Sequence, residues 1–312
     1  MSPVFALLVA AFGPERVSRE VPLAPFTTFR VGGPAEYLVE VHDATSLARV
    51  VAIAAQAGVP ATILGGGSNV LVSDAGIRGV VIRVRGGAMV LEGESGVRAD
   101  AGSSLNNLVR WTVGRGLAGL ESWAGTPGTV GGAVFGNAHS RGRSIGELVA
   151  TVRLVSGGGA IADVPAGEME FAYDRSRLQR TGEVVLSVLF ALTPTADPAG
   201  LREDARRSLA DRKRTQPLHA PSAGCVFQNP DPAVDRVPEG IPPSAGALID
   251  RAGLKGSAIG GARVSPLHAN FIVNDGGATA SDIRQLIDRC RDEVGARFGV
   301  TLREEIRYLG QW

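Results

Sequence analysis

Thr62-Ile63-Leu64-Gly65-Gly66-Gly67-Ser68-Asn69-Val70-Leu71-Val72 places two apolar runs on either side of a segment with almost no side-chain bulk. Without a Cβ at Gly65, Gly66 and Gly67, the backbone N–H groups can curl into a concave nest that meets an anion closely, and a pyrophosphate suits such a nest. Gly-rich phosphate loops usually lead from a strand into a helix. Here the β-branched run Val70–Val72 follows, and the turn-like residues 74–79 leave no room for a helix, so the loop is expected to run from strand to strand. That argues against both a Rossmann fingerprint and a P-loop. A hairpin closed by a glycine-rich turn is the other reading of the same residues.

Working outward, 312 residues with 44% hydrophobic content and a net charge of +1 give room for two or three globular domains and no basic surface for a nucleic acid. Glycine, at 42 residues, is well above the average usage of roughly 7% and falls in clusters (65–67, 86–87, 131–132, 157–159, 260–261, 276–277). Clustering of this kind points to tight turns and to close backbone approach to a ligand. Cys225 and Cys290 offer neither a disulfide framework nor a zinc pattern, so a reducing cytoplasm and no metal are expected. Residues 1–12 are apolar but lack a basic leader and are too short to span a bilayer; a peripheral helix and no membrane association are expected.

Residues 36–41 read as a strand, 43–57 as a helix with Leu47, Val50, Val51 and Ala54 on one face, and the strand ending at Leu64 completes a β-α-β unit. Short runs at 79–84, 88–91 and 96–99 read as an antiparallel meander, and Ser103 or Ser104 can cap the helix that follows. A second low-bulk stretch, Ala124-Gly125-Thr126-Pro127-Gly128-Thr129-Val130-Gly131-Gly132-Ala133, offers another place where backbone meets phosphate. Two such loops favour a large diphosphate ligand more than either does alone. Further strands are expected at 149–155 and 183–192, and helices at 201–214, 245–252 and 280–298, with a composition shift and a domain boundary near residue 200.

Taken together, the stretches Thr27-Thr28-Phe29-Arg30-Val31-Gly32-Gly33-Pro34-Ala35, Leu64 to Asn69, Gly125 to Ala133, Pro221-Ser222-Ala223-Gly224-Cys225-Val226-Phe227-Gln228-Asn229-Pro230 and His268-Ala269-Asn270-Phe271-Ile272-Val273-Asn274 resemble the UDP-N-acetylenolpyruvoylglucosamine reductase family of peptidoglycan precursor synthesis. About 45 residues separate Ser176 from Ser222, which resembles the branch lacking an extra tyrosine-bearing loop. The resemblance implies an α+β protein: a two-subdomain FAD-binding fold of the vanillyl-alcohol-oxidase-like type and a C-terminal α+β substrate domain. The expected bounds are 1–84 and 85–200 for the FAD subdomains, with 299–312 joining the second, and 201–298 for the substrate domain. It implies FAD as cofactor, NADPH as co-substrate, a UDP-sugar as substrate, and a cytoplasmic monomer serving cell-wall biogenesis, cell shape and cell division. A related flavin oxidase of a small alcohol or lactone, and a catalytically silent nucleotide-binding homologue, are the alternatives.

Under that resemblance the FAD diphosphate falls to Gly65, Gly66, Gly67, Ser68, Asn69, Pro127, Gly128, Thr129, Gly131 and Gly132. Hydride delivered to the β-carbon of an enolpyruvyl ether builds negative charge on the α-carbon and carboxylate, so a proton donor and a cation or acid are needed. Cys225 occupies the position where the family most often has a serine proton donor. A thiol, near pKa 8.5, is a stronger acid than an alcohol, and oxidation-sensitive. By residue type alone, a cysteine between Gly224 and Val226 reads as a small buried hydrophobe. The family's catalytic glutamate maps to Glu305, with Glu304 the neighbour that can replace it; strand alternation also permits a solvated charge ladder on the face of Arg303, Glu305 and Arg307. The family's Tyr-Arg-x-Ser stands here as Tyr173-Asp174-Arg175-Ser176, so Arg175, or else Arg177, is the candidate for the carboxylate. Tyr173, Arg212, Asn229, His268 and Asn270 are the expected substrate contacts, and the basic run 212–214 is a candidate for the diphosphate or a plain charged helix end.

Overall fold

The computed structural model describes residues 2–312, and the chain divides into two compact units. The first takes the chain up to Val21, then Ala35–Gly66 and Arg78–Asp211; the second takes Pro22–Pro34, Gly67–Ile77 and Arg212–Trp312.

Two larger sheets and two small two-stranded ones build the first unit, in keeping with a two-subdomain FAD-binding fold. Four strands run in the order Val17–Pro22, Pro34–Val41, Ile77–Val84, Ala61–Leu64. Between the second and fourth of these, in chain order, lies the helix Ala44–Gln56. Asp43 caps it by accepting from the Ser46 N–H at 2.7 Å, and Leu47, Val50, Val51 and Ala54 face the core. The expected β-α-β unit is therefore present. The expected meander is not, because Ile77–Val84 pairs in parallel with Ala61–Leu64 in this sheet. Only Met89–Glu92 and Gly96–Asp100 form the antiparallel ribbon, at the edge of a five-stranded sheet with Val184–Ala191, Val149–Val155 and Ile161–Pro165. Helix Leu105–Gly114, capped by Ser104, belongs to the same unit.

A separate apolar core holds the second unit together. Phe29, Val31 and Leu71 join Val226, Phe227, Leu248, Ile249, Ile272, Ile283, Leu286 and Ile306. Helix Ala280–Phe298 begins in a capping box of Thr279 and Asp282. Asp74 adds a carboxylate to the same N-terminus, accepting from the N–H groups of Ala280 and Ser281 at 2.8 and 2.9 Å. Residues 299–312, expected to join the FAD region, instead lie in this unit, with Arg307–Leu309 pairing in parallel with Val70–Val72. The division falls at Asp211–Arg212, inside helix Pro198–Thr215 and later than the expected residue 200.

The glycine stretch can now be assigned. Ala61–Leu64 and Val70–Val72 lie in different sheets, so Gly65 to Asn69 is a strand-to-strand loop and not a hairpin turn.

Candidate active site

In the first unit the two low-bulk loops touch. A Cβ on Gly66 would lie 2.7 Å from the Cα of Gly128, and one on Gly65 would collide with Thr129 Oγ1. Gly128, with φ +109, takes a backbone conformation that other residues rarely adopt. The N–H groups of Gly65, Gly66, Gly128 and Thr129 enter none of the hydrogen bonds among the described residues. Four main-chain donors without a bond inside the protein thus lie on two loops in contact, the kind of donor set a diphosphate would take, and a side chain at Gly66 would force the loops apart. Gly131 and Gly132 spend their N–H groups within the protein. Their N–H groups donate to Ala101 O at 2.9 Å and to Thr129 Oγ1 at 3.3 Å, inside the start of helix Val130–Phe135. Pro127 has no N–H to give and serves as the bend.

Gly67, Ser68 and Asn69 continue the loop in the second unit. Gly67, at φ +61, needs its left-handed backbone, and its carbonyl accepts from the Thr28 N–H at 3.0 Å. Asn69 Nδ2 donates to the Glu305 carbonyl at 3.3 Å, a link from the glycine loop to the catalytic candidate that residue patterns did not reveal.

Cys225, Glu305 and Asn270 are brought together in that unit by backbone pairing. Val226 N donates to Asn270 O at 2.9 Å, and Glu305 N donates to Val226 O at 2.8 Å. Phe227 forms a bridge with Glu304, and Gln228 N donates to Arg303 O. The segment after Cys225 is thus fixed on both sides. Asn270 is 3% exposed, and its amide is fully engaged: Oδ1 accepts from Phe227 N at 3.0 Å and Nδ2 donates to Phe227 O at 2.7 Å. It thereby clamps the segment at Phe227 through both ends of its amide. Asn229 is likewise occupied through Oδ1, which accepts from Ala245 N at the start of helix Ala245–Arg251.

The alternation expected for 302–307 holds: Leu302 and Ile306 are buried, Arg303 and Arg307 exposed. Glu304 is engaged with Arg291 and so does not replace Glu305. Arg303 pairs with Asp235, whose carboxyl the guanidinium holds below its ordinary range.

Arg212 differs from its neighbours. Lys213 and Arg214 are exposed on the last turn of the helix, whereas Arg212 is half-buried, and burial pushes its pKa down. Its Nε, and Gln216 Oε1 one turn on, are enclosed and have no hydrogen-bond partner among the described residues. The basic run therefore splits into two exposed charges and one directed inward. His268 is mostly enclosed, packs edge-on against Phe271, and accepts the Asn270 N–H at Nδ1. Burial, aided by the charge of Lys255, pushes its pKa down, so the ring is kept neutral.

The remaining candidates lie in the first unit. Residues 172–175 form a tight two-residue turn, closed by Ala172 N to Arg175 O at 3.0 Å and Arg175 N to Ala172 O at 3.1 Å. Arg175 is exposed at its end. Arg177, the alternative, is held by Glu183 through two bonds of 2.9 and 2.7 Å. Tyr173, 46% exposed, stacks on His139 with ring centroids 4.8 Å apart. At the position of the family's arginine, Asp174 is buried, with φ +51, and bonds His139 Nδ1 at 3.0 Å. His139 had no signal in the sequence.

Comparison with known proteins agrees with this geometry. Residues 35–164 match an FAD binding domain, and residues 216–309 match the UDP-N-acetylenolpyruvoylglucosamine reductase C-terminal domain. The UDP-N-acetylenolpyruvoylglucosamine reductase 2 of Symbiobacterium thermophilum is 44% identical over 95% of this chain and 93% of its own. The reductase of Gloeobacter violaceus is 41% identical over 95% and 97%. The crystal structure of UDP-N-acetylenolpyruvylglucosamine reductase (MurB) from Thermus caldophilus superposes with a TM-score of 0.79 at 35% identity, covering 94% of this chain and 99% of that one.

Proposed function

The chain belongs to the UDP-N-acetylenolpyruvoylglucosamine reductase family, and on that premise we propose that it is an NADPH-dependent flavoenzyme of peptidoglycan precursor synthesis. Its reaction reduces the enolpyruvyl group of UDP-N-acetylglucosamine enolpyruvate to UDP-N-acetylmuramate. The observation that carries this reading is the fixed placement of Cys225 and Glu305 around Val226, in a chain that also carries the main-chain diphosphate cradle.

FAD, when bound, would supply the hydride chemistry between NADPH and the enolpyruvyl group. The protein's own share is binding, positioning and a proton. Amides of Gly65, Gly66, Gly128 and Thr129 hold the diphosphate. Cys225 donates its thiol proton to the α-carbon, and Glu305 stands beside it as the carboxyl group that polarises the developing enolate. Lys213 and Arg214, exposed at the helix end, are the charges assigned to the UDP diphosphate, and His268 is a neutral polar contact. Arg175 is the exposed guanidinium offered to the substrate carboxylate. No helix among the described residues is long and apolar enough to cross a membrane, and a monomer working in the cytoplasm without nucleic acid completes the reading.

The test is anaerobic and visible. Purified protein is expected to be yellow, to bleach with NADPH, and to regain colour when the enolpyruvyl UDP-sugar is added. A colourless protein overturns the cofactor assignment; a yellow one that NADPH leaves coloured is the silent homologue; one bleached by a small alcohol is the oxidase.

A further inference from the structure

Strand Val70–Val72 pairs in parallel with Arg307–Leu309, and printed along its two ends are the outer rungs of one ladder: Ser73 N donates to Leu309 O at 2.9 Å, and Arg307 N donates to Asn69 O at 3.0 Å. In a parallel ladder the bonds are evenly spaced and recur every second residue, so the next rung would run from the Asn69 N–H to the Glu305 carbonyl. That N–H enters none of the hydrogen bonds among the described residues. The side chain of the same residue takes its place, with Asn69 Nδ2 donating to Glu305 O at 3.3 Å. A side-chain amide thus stands in for a main-chain one where the strand pairing stops. On its other side Glu305 N donates to Val226 O at 2.8 Å. The N–H and the C=O of Glu305 are therefore held by two separate segments. With both peptide planes anchored, φ and ψ of Glu305 are fixed, and so is the direction in which its side chain leaves the backbone.

We propose that Asn69 is a positioning residue for the reaction: its side-chain amide sets where Glu305 stands, so that substrate reduction depends on it and flavin reduction by NADPH does not. This rests on Glu305 being the catalytic carboxyl group. The arrangement divides the labour of one residue. The main-chain N–H of Asn69 is left for the phosphate role expected from the glycine-rich loop, while its side chain is spent on Glu305. Asn suits the place because it carries an N–H donor on a short stem. Asp has the same size but no donor, and Ala has neither. Either replacement keeps the rung from Arg307, which uses the Asn69 carbonyl, and the φ of residue 69 is negative, so alanine fits the backbone.

The experiment separates the two half-reactions in the flavin-bound protein by anaerobic stopped flow, and adds hydrogen exchange of residues 303–307 without substrate. In Asn69→Ala, bleaching by NADPH should be little changed. Recolouring by saturating enolpyruvyl UDP-sugar should slow by about 10- to 100-fold, the scale of a misplaced catalytic group. Exchange over 303–307 should quicken by roughly two- to tenfold, the equivalent of one hydrogen bond. The deciding reading is the double variant Asn69→Ala/Glu305→Gln, which should be no slower than Glu305→Gln alone, because Asn69 acts only through that carboxyl group. Effects that multiply in the double variant overturn the proposal, as does unchanged exchange. Loss of flavin, or an equal fall in both half-reactions, also overturns it and makes the Asn69 side chain a cofactor contact. Should Asn69→Ala not be recovered folded, Asn69→Asp decides by the same readings. A wild-type protein that NADPH bleaches and the sugar does not recolour overturns the proposed reaction, whereas faster exchange in the variant would still uphold the hold on Glu305.

Discussion

The glycine cradle of the first unit and the Cys225 segment of the second present their chemistry in opposite ways. In the cradle the recognising groups are main-chain N–H donors, and side chains matter only by being absent. Around Cys225 the reacting groups are side chains, and the backbone hydrogen bonds serve to hold them in register. A delocalised diphosphate is recognised by several fixed dipoles at once, whereas proton transfer needs one atom at one place. The first region should therefore fail through added volume, and the second through a change of functional group.

Gly66→Val tests the first half most severely. The new Cβ meets the Gly128 backbone, which has no flexible end to move, so a colourless protein that does not bind FAD in titration is expected. Retained yellow colour would break the comparison. Cys225→Ala is the matching change in the second region. NADPH should still bleach the flavin, while substrate turnover falls by about a hundred- to ten-thousand-fold, the usual share of a positioned acid. Glu305→Gln is expected to lower turnover strongly with little change in melting temperature, whereas Glu304→Gln, which only releases Arg291 from a partly exposed pair, should cost at most about 1 kcal/mol of stability.

Asn270→Ala separates clamping from contact. Two buried groups of Phe227 lose their partners, so about 3 kcal/mol of stability is expected to go, measured by denaturant unfolding. A change confined to KM would instead make Asn270 a substrate residue. The smallest effect concerns His268. Its folded pKa lies below the unfolded value, so the unfolded chain binds the extra proton first as pH falls. Stability is full above the ordinary histidine range and is lost as pH drops through it, and His268→Gln should flatten the slope of melting temperature against pH there.

Much of the first unit could be read from local pattern. Asp43 and Ser104 mark their helix starts because short polar side chains cap exposed N–H groups, and Leu47, Val50, Val51 and Ala54 repeat with the helical period. The placing of Ile77–Val84 could not be read, since an apolar run does not state which strand it pairs with. Within the site, Cys225 and Glu305 came from family resemblance, and the backbone pairing around Val226 gives them a shared setting. Asn270 could be found in the sequence but not understood, because only the fold shows that both ends of its amide face Phe227. His139 could not be found, as its significance lies in contact with Asp174 across 35 residues of chain.

What the amino-acid sequence determined by itself was the loop without side chains, the run of capped helices and β-branched strands, and the motifs that place the chain in its family. Those properties are local, set by Cβ sterics, capping and period. Which segments share a core was decided only by the tertiary structure: Pro22–Pro34 and Gly67–Ile77 join the C-terminal hundred residues, and Arg212 turns inward beside two exposed cations. Burial and pairing between distant segments depend on what the rest of the chain brings alongside, and no local pattern encodes that.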